Sequence, residues 1–312
     1  MKRKINICLG TKKSNKKIIE INIKEFNKIY NNSELFFNII CPEKDKSVFK
    51  KMRNKHVKII SENAIIKYDF FEKVFLTYFK KTKYYNKIKN RINWYYQQCL
   101  KIIFLETHKK YLNLIWDADT LIINKIEFFN NDFTKPINYE NYYEMHTPYF
   151  LTNKIIWKKL PKNFYSGINQ FIAMTEKEIL NFKKKLKFFL KKKDFKSLVP
   201  HVMAKSIKAA HKYYDQSLFS EYELFNHCRR LDNQKFKSIR FYRTSENYIF
   251  NSNQLKLLRI LNYKHITFEN HYNLLEKKIS WFNFILKLIF LEFATYKNFF
   301  KFKIKSNLIY YL

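Results

Sequence analysis

The stretch Tyr111-Leu-Asn-Leu-Ile-Trp-Asp-Ala-Asp-Thr120 decides the fold, because a short apolar run ends in two aspartates. Such a run is typical of a central strand that is buried on both faces of a parallel sheet. In open α/β sheets, ligands bind beyond the carboxyl ends of the strands. Asp117 and Asp119 therefore lie where a functional site is expected.

The chain before this stretch alternates between strand-like and helix-like patterns. Strands are predicted at residues 4–9, 35–41 and 57–60. Helices are predicted at about 15–30, 46–54 and 84–108. This alternation predicts an α/β fold with a mainly parallel sheet flanked by helices.

The chain after Thr120 changes character twice. Residues 125–165 are aromatic and interrupted by prolines, which predicts loops and short edge strands around a pocket. Two capping boxes, Thr175-Glu-Lys-Glu178 and Ser220-Glu-Tyr-Glu223, then predict helix starts. We interpret residues 1–274 as one domain and residues 275–312 as a basic, aromatic and helical C-terminal extension.

The composition indicates an anionic partner. The chain has 312 residues and a formal charge of +35, from 61 Lys and Arg against 26 Asp and Glu. Nucleic acid, anionic lipid and a nucleotide diphosphate are all candidates. Abundant Lys, Asn, Ile, Phe and Tyr with only 2 Gly is also the usage that an AT-rich genome imposes, so charge alone does not name the partner.

The cysteines and the N-terminus constrain the cellular setting. The 4 cysteines are far apart and match neither a zinc site nor a disulfide framework, which suits a reducing compartment. The chain begins Met-Lys-Arg-Lys, and the apolar stretch that follows is too short for a signal peptide. No apolar window is long enough for a transmembrane helix. We therefore expect a cytoplasmic protein.

Asp117 and Asp119 are the best candidates for metal ligands. Two carboxylates separated by one small residue can both turn toward Mn²⁺ or Mg²⁺, which bridges the oxygens of a diphosphate. An aspartate pair that closes an apolar strand costs stability unless something binds there. The alternative is that both aspartates only cap a strand end or turn.

Three motifs occur in an order that resembles a group of bacterial glycosyltransferases found with surface-polysaccharide genes. The first is Asn93-Trp-Tyr-Tyr-Gln-Gln-Cys-Leu-Lys101 and the second is the strand that ends in Asp117 and Asp119. The third is Ser220-Glu-Tyr-Glu-Leu-Phe225. Phe225 replaces the usual Tyr, and Asn226 stands where that group has Gly.

The resemblance implies a GT-A-like, Rossmann-like fold and a metal-dependent transferase. Its donor would be a nucleotide sugar, and its acceptor a capsule or lipooligosaccharide glycan. Gln97 and Gln98 would lie beside the donor, on the helix before the metal-binding strand. Asp117 and Gly10, one of only 2 glycines, are assigned to the same donor site. The alternative for Gln97 is a solvated helix face.

Glu221 is the preferred catalytic carboxylate. Glycosyl transfer uses a carboxylate as a general base or as an assisting group on the other face of the sugar. Glu223 occupies the third helical position of its capping box and already has a structural role, whereas Glu221 is free to point into the pocket. Asp215 is the second candidate.

His265 and several arginines complete the set of candidates. Many GT-A enzymes add a downstream His or Asp to the metal site, and His265 is that candidate here, although a lone His is more often a core or surface residue. Four arginines could bind phosphate or an acidic sugar, namely Arg229, Arg230, Arg240 and Arg243. The alternative is that their side chains are simply solvated.

The C-terminal extension and the lysine-rich helix at 183–192 predict contact with an anionic membrane surface. There, on the inner face of the cytoplasmic membrane, a lipid-linked glycan acceptor would be presented. The alternative is a core-packing helix with a solvated lysine face.

Two other function classes compete with sugar transfer. Lysine interleaved with aromatic residues is also the composition of a nucleic-acid-binding groove, but no binding module is recognised, so no nucleic acid is expected. The second alternative is a metal-dependent nuclease or phosphoryl-transfer enzyme, which needs further acidic residues for a second metal. No additional acidic cluster is visible, and Asp is absent after Asp232, so the sequence does not favour this class.

Overall fold

The structure is a computed structural model that describes residues 3–141, 146–160, 165–189, 194–211, 217–244, 248–268, 277–291 and 293. The strands are β1 (Arg3–Gly10), β2 (Ser33–Cys41), β3 (Val57–Ser61), β4 (Leu112–Trp116), β5 (Thr120–Ile122), β6 (Asn138–Glu140), β7 (Phe171–Met174), β8 (Phe236–Ser238), β9 (Tyr242–Thr244), β10 (Tyr248–Ile249), β11 (His265–Phe268) and β12 (Lys277–Lys278). The helices are α1 (Lys16–Ile29), α2 (Lys46–Phe49), α3 (Glu62–Ile65), α4 (Tyr68–Thr77), α5 (Tyr85–Asn90), α6 (Ile92–Thr107), α7 (Thr147–Trp157), α8 (Glu176–Phe189), α9 (Phe195–Ala210), α10 (Glu221–Leu231), α11 (Ser252–Ile260) and α12 (281–291).

The central sheet has five strands in the order β3-β2-β1-β4-β7. β3, β2, β1 and β4 run parallel, and β7 pairs antiparallel with β4 at the edge. The predicted α/β fold with a mainly parallel sheet flanked by helices is confirmed. Because β1 and β4 are neighbours in this order, Gly10 and Asp117 come together at the carboxyl edge of the sheet.

Both faces of the central sheet are covered by helices and loops. Leu114 and Trp116 face one side, where Trp116 packs edge-on against Phe26 of α1 at 5.0 Å between ring centroids. Ile115 faces the other side and belongs to a core cluster formed with α4, α6, α9 and α10. All three residues are buried, as a central strand requires.

The helices differ from the sequence prediction in three places. The long helix predicted at about 84–108 is divided at Arg91 into α5 and α6. α7 occupies part of the segment predicted to be loops. Its Pro148 does not prevent the helix, because it lies in the first turn, where proline is tolerated. α9 was not indicated by the sequence patterns.

A second, three-stranded sheet in the order β5-β11-β9 lies against the end of β4. α12 packs on this region through Phe284 and Leu288, which join a cluster that includes Tyr242 of β9. The extension therefore contacts the rest of the chain through its apolar residues. In the part of the chain that the structure describes, every helix is too short or too polar to cross a bilayer.

Candidate active site

A cavity of about 410 Å³ lies beyond the carboxyl end of β4. The three sequence motifs meet here, because α6, the β4 end and the first turn of α10 all line it. Their members in the cavity wall are Trp94, Gln97, Gln98, Lys101, Asp117, Asp119, Ser220, Glu221 and Tyr222. Its volume is within the range of pockets that bind small ligands.

The backbone around the two aspartates is fixed from both neighbouring strands. The Asp117 N–H donates to the carbonyl of Gln170 at 2.9 Å, and the Phe268 N–H donates to the carbonyl of Asp119 at 3.0 Å. Behind them, the indole of Trp116 and the side chain of Asn22 both donate to the Thr120 carbonyl. Hydrogen bonds to two other segments therefore hold the backbone of both aspartates.

Lys101 occupies the centre of the site. Its ammonium donates to Asp117 Oδ1 at 2.5 Å and to Glu221 Oε1 at 2.6 Å. The Tyr222 hydroxyl also donates to Asp117 Oδ1, at 2.6 Å. Lys101 is buried, yet the charges of the two carboxylates outweigh its desolvation and raise its pKa above the ordinary value, so the ammonium stays charged.

The second aspartate is electrostatically different from the first. Burial and the nearby charge of Asp117 raise the pKa of Asp119 to about 7. Two carboxylates this close repel each other, and a bound cation relieves that repulsion. The described residues contain no group of three or more His, Cys, Asp or Glu side chains placed to hold a metal ion. Any metal here would depend on the two aspartates and on ligand oxygens.

The donor-side candidates from the sequence line the same cavity. Gln97 is half-buried, and Gln98 is buried with both amide atoms lacking a hydrogen-bond partner among the described residues. An amide left unpaired in this way costs free energy unless a ligand or water satisfies it. Trp94 is 37% exposed at the cavity wall. Gly10 lies behind the wall, and a Cβ there would be 3.8 Å from Cε of Lys101.

The two glutamates of α10 face different surroundings. Glu221 lines the cavity, as expected, but it is paired with Lys101 rather than free. The Ser220 hydroxyl accepts a hydrogen bond from the Glu223 N–H and caps the helix. The Glu223 carboxylate accepts from the Gly167 N–H at 2.6 Å and from the Ser166 hydroxyl at 3.1 Å, so it is held by groups other than the Ser220 N–H that the predicted capping box would use.

The remaining candidates lie elsewhere. His265 is fully buried against the rings of Phe241 and Trp116, at 4.7 and 5.7 Å, and burial lowers its pKa to about 3. It is not part of the cavity wall, so the structure does not bring it together with Asp117 and Asp119. Asp215 lies outside the described residues.

The four arginine candidates separate into two groups. Arg229 pairs with Glu178 at 3.0 Å and Arg230 with Glu223 at 3.3 Å, both buried inside the protein. Arg240 stacks on the ring of Tyr263 at 5.1 Å and does not line the cavity. Of the four arginines, Arg243 is the one that lines the cavity.

The known proteins that resemble this chain do so in structure, and those described here are distant in sequence. No protein-family profile and no curated protein matches the chain. Among solved structures, mouse xyloside xylosyltransferase 1 in its apo form has a TM-score of 0.42 at 9% identity, covering 88% of this chain and 100% of that one. The galactosyltransferase LgtC with donor and acceptor sugar analogues has a TM-score of 0.40 at 7% identity, covering 84% and 86%. PaToxG glycosyltransferase has a TM-score of 0.30 at 15% identity, covering 66% of this chain and 68% of that one. TM-scores below 0.5 establish neither a common fold family nor a common activity.

Several residues of this site were not indicated by the sequence, and three of them bear on its chemistry. Lys101 and Tyr222 stand inside the quoted motifs, but their contacts with Asp117 span 16 and 105 residues and leave no local pattern. Gln170 lies in the cavity wall directly before β7. The sequence could have indicated Gln170, because it is a polar residue directly before a strongly apolar strand.

Proposed function

We propose that this chain is a metal-dependent glycosyltransferase that moves a sugar from a nucleotide-sugar donor to a surface glycan. One observation carries the proposal: three motifs that lie far apart in the sequence line one cavity at the carboxyl edge of a mainly parallel sheet. This edge is where open α/β sheets bind ligands. Polar and charged groups line the wall, as a phosphorylated sugar ligand requires.

The charges of the cavity favour a divalent cation. Asp117, Asp119 and Glu221 supply three carboxylates against the two cationic side chains of Lys101 and Arg243. A bound diphosphate adds further negative charge to this set. Mn²⁺ or Mg²⁺ would offset that charge, as metal ions do at phosphate sites.

The residues present fit such a cation. Asp117 and Asp119 provide the hard oxygen ligands that Mn²⁺ and Mg²⁺ prefer. Lys101 and Tyr222 both contact Oδ1 of Asp117, so these two contacts leave Oδ2 unengaged. A cation held there would stabilise the negative charge of the departing nucleoside diphosphate.

The chain's own groups divide the remaining work. Lys101 fixes the positions of Asp117 and Glu221 relative to each other and keeps an ammonium beside the diphosphate. Glu221 is the catalytic carboxylate that assists the reaction at the sugar carbon or at the acceptor hydroxyl. Gln97 and Gln98 hydrogen-bond the donor, and the unpaired amide of Gln98 gains its missing partners.

Removal of either aspartate tests this assignment. We expect Asp117→Ala and Asp119→Ala each to abolish Mn²⁺-dependent release of the nucleotide from a panel of donors, which is the diphosphate from UDP- and GDP-sugars and CMP from CMP-sugars. The fold should persist, because the backbone contacts of this turn do not use the carboxylates and Lys101 keeps its pair with Glu221. Asp132→Ala is the matched control, since its carboxylate makes only an exposed turn with Thr134.

Three outcomes would contradict the proposal. Wild-type activity in both aspartate variants would remove the metal role of the pair. Loss of activity in Asp132→Ala would show that the effect is not specific to the cavity. Salt-sensitive retention on DNA without donor hydrolysis by the wild-type chain would favour the nucleic-acid-binding alternative.

We further propose that the acceptor is a lipid-linked glycan and that α12 contacts the cytoplasmic membrane from its inner face. One face of α12 is exposed and apolar, with Phe282 75% and Phe290 63% exposed, although Phe284 and Leu288 pack inward. Exposed aromatic residues on a helix of a strongly cationic chain suit peripheral binding to anionic lipid.

Co-sedimentation with vesicles tests this contact. We expect the wild-type chain to pellet with vesicles of phosphatidylglycerol and phosphatidylethanolamine, and Phe282→Ser/Phe290→Ser to pellet markedly less, because each substitution removes an exposed ring from the interface. Lys256→Ser on α11 is a control that removes a cation from another helix. Equal binding of the wild-type and the double variant would contradict a role for α12.

A further inference from the structure

Gln170 has a backbone conformation that its side chain disfavours. Its φ is 63°, in the left-handed region that glycine adopts without strain. Residues held there cost stability and cluster at ligand-binding and active sites. Gln170 lies directly before β7, and its carbonyl accepts the Asp117 N–H at 2.9 Å. The strained residue is therefore joined to the first aspartate of the site.

The side chain of Gln170 belongs to the cavity. It is half-buried in the wall that also contains Asp117, Asp119 and Gln98. Its amide makes no hydrogen bond with any residue in the described part of the chain, and the buried amide of Gln98 in the same wall also lacks a partner there. The amide is thus placed to bind something that enters the cavity.

The chemistry of the wall indicates which part of a ligand Gln170 binds. Lys101 and Arg243 are the groups suited to phosphate, because phosphate recognition favours cations. Amides donate and accept together, which matches hydroxyl groups. Gln97, Gln98 and Gln170 bring three such amides to one cavity.

We propose that Gln170 recognises the hydroxyl groups of the transferred sugar, and that this sugar is neutral rather than a uronic or sialic acid. A sugar carboxylate would meet three carboxylates, Asp117, Asp119 and Glu221, in the same wall. This inference rests on the proposed glycosyltransferase function and specifies its donor.

A rival explanation comes from the composition. The chain has only 2 glycines. In its described part, five residues of other types adopt a positive φ, Gln170 among them, and no glycine does. Gln170 would then stand at a turn where other chains use glycine, without any role for its amide. Substitution by glycine separates the two explanations, because it relieves the strain and removes the amide together.

The experiment compares Gln170→Gly with Lys158→Gly. Lys158 is exposed, ends α7 with a φ of 58° and lies outside the cavity. We expect each substitution to raise the Tm of the ligand-free protein by about 2 °C. Gln170→Gly should lower kcat/KM for hydrolysis of the best neutral nucleotide sugar in the panel by about tenfold. Lys158→Gly should leave it unchanged.

Affinity for the bare nucleoside diphosphate with Mn²⁺ completes the design. It should be unaltered in Gln170→Gly, because the amide binds only the sugar. Gln170→Asn, which tolerates a left-handed backbone but shortens the side chain, should show the same loss of kcat/KM.

Four outcomes overturn the inference. Unchanged kcat/KM in Gln170→Gly supports the composition explanation. An equal loss of affinity for the bare nucleoside diphosphate assigns the effect to the Asp117 turn. Wild-type preference for UDP-glucuronic acid or CMP-sialic acid excludes a neutral sugar. Absence of hydrolysis of any donor by the wild-type chain refutes the proposed function itself, and the inference with it.

Discussion

Glu221 and Glu223 share a residue type and one helical turn, yet they belong to two different regions of the molecule. Two positions along a helix turn the side chain by about 200°, so the two carboxylates point to opposite sides of α10. Glu221 lines the cavity and shares the Lys101 ammonium with Asp117. Glu223 lies in a closed network with Ser166, Gly167 and Arg230.

The difference indicates how to separate functional from structural carboxylates. Every partner of Glu223 is a protein group inside the fold, and a Cβ on Gly167 would approach Asn226 Nδ2 to 2.3 Å. That network has no space for a ligand. Glu221 is equally buried but borders a cavity, and its partner Lys101 already serves a second carboxylate. Burial is therefore common to both glutamates, whereas contact with a cavity and a shared counter-ion distinguish Glu221.

The largest expected effect on stability comes from Glu223→Gln. This change leaves the guanidinium of Arg230 buried without its carboxylate at 3.3 Å, since the other acidic neighbour, Glu140, is 4.0 Å away. Breaking one side of a buried ion pair lowers the free energy of unfolding by about 3 kcal/mol. Denaturant unfolding of the purified variant measures this loss.

Glu127→Gln is the matched control for that experiment. Its pair with Lys237 is mostly exposed, so its loss should change the free energy of unfolding by less than about 1 kcal/mol. The folded fraction of Glu223→Gln should retain donor hydrolysis. A fully stable Glu223→Gln variant without activity would reverse the roles assigned to the two glutamates.

The sequence predicted most of the central sheet because strand patterns are local. Strand and helix periodicity located β1, β2, β3, β4 and α1 within a few residues of their ends. α7 was missed because Pro148 is a helix breaker in most positions, and only its place in the first turn makes it compatible with a helix.

The centre of the site was harder to predict, for a physical reason. The Lys101 ammonium reaches Glu221 across 120 residues of sequence, and such a contact exists only after the sheet and α10 have packed. In a chain with 61 Lys and Arg, no single lysine stands out. The aspartates were recognisable because they are few and end an apolar strand.

Of the two α10 glutamates, Glu221 gives the smaller expected effect on stability, and Glu221→Gln is the sharpest test of the comparison. Lys101 would keep Asp117 and the Tyr222 hydroxyl, at 2.5 and 3.3 Å, so its ammonium stays paired. We expect the free energy of unfolding to change by about 1 kcal/mol. The glutamine has the shape of the glutamate and leaves both aspartates in place, so the affinity for the nucleotide sugar with Mn²⁺ should be retained.

Turnover is where Glu221→Gln should differ from Glu223→Gln. Loss of a positioned acid or base lowers kcat by about a thousandfold. Calorimetric titration with the nucleotide sugar and a transfer assay on the same preparation separate binding from chemistry. Loss of donor affinity would reassign Glu221 to the donor site. Normal turnover would mean that the Lys101–Glu221 pair, although it borders the cavity, is structural in the same sense as the pair of Arg230 with Glu223.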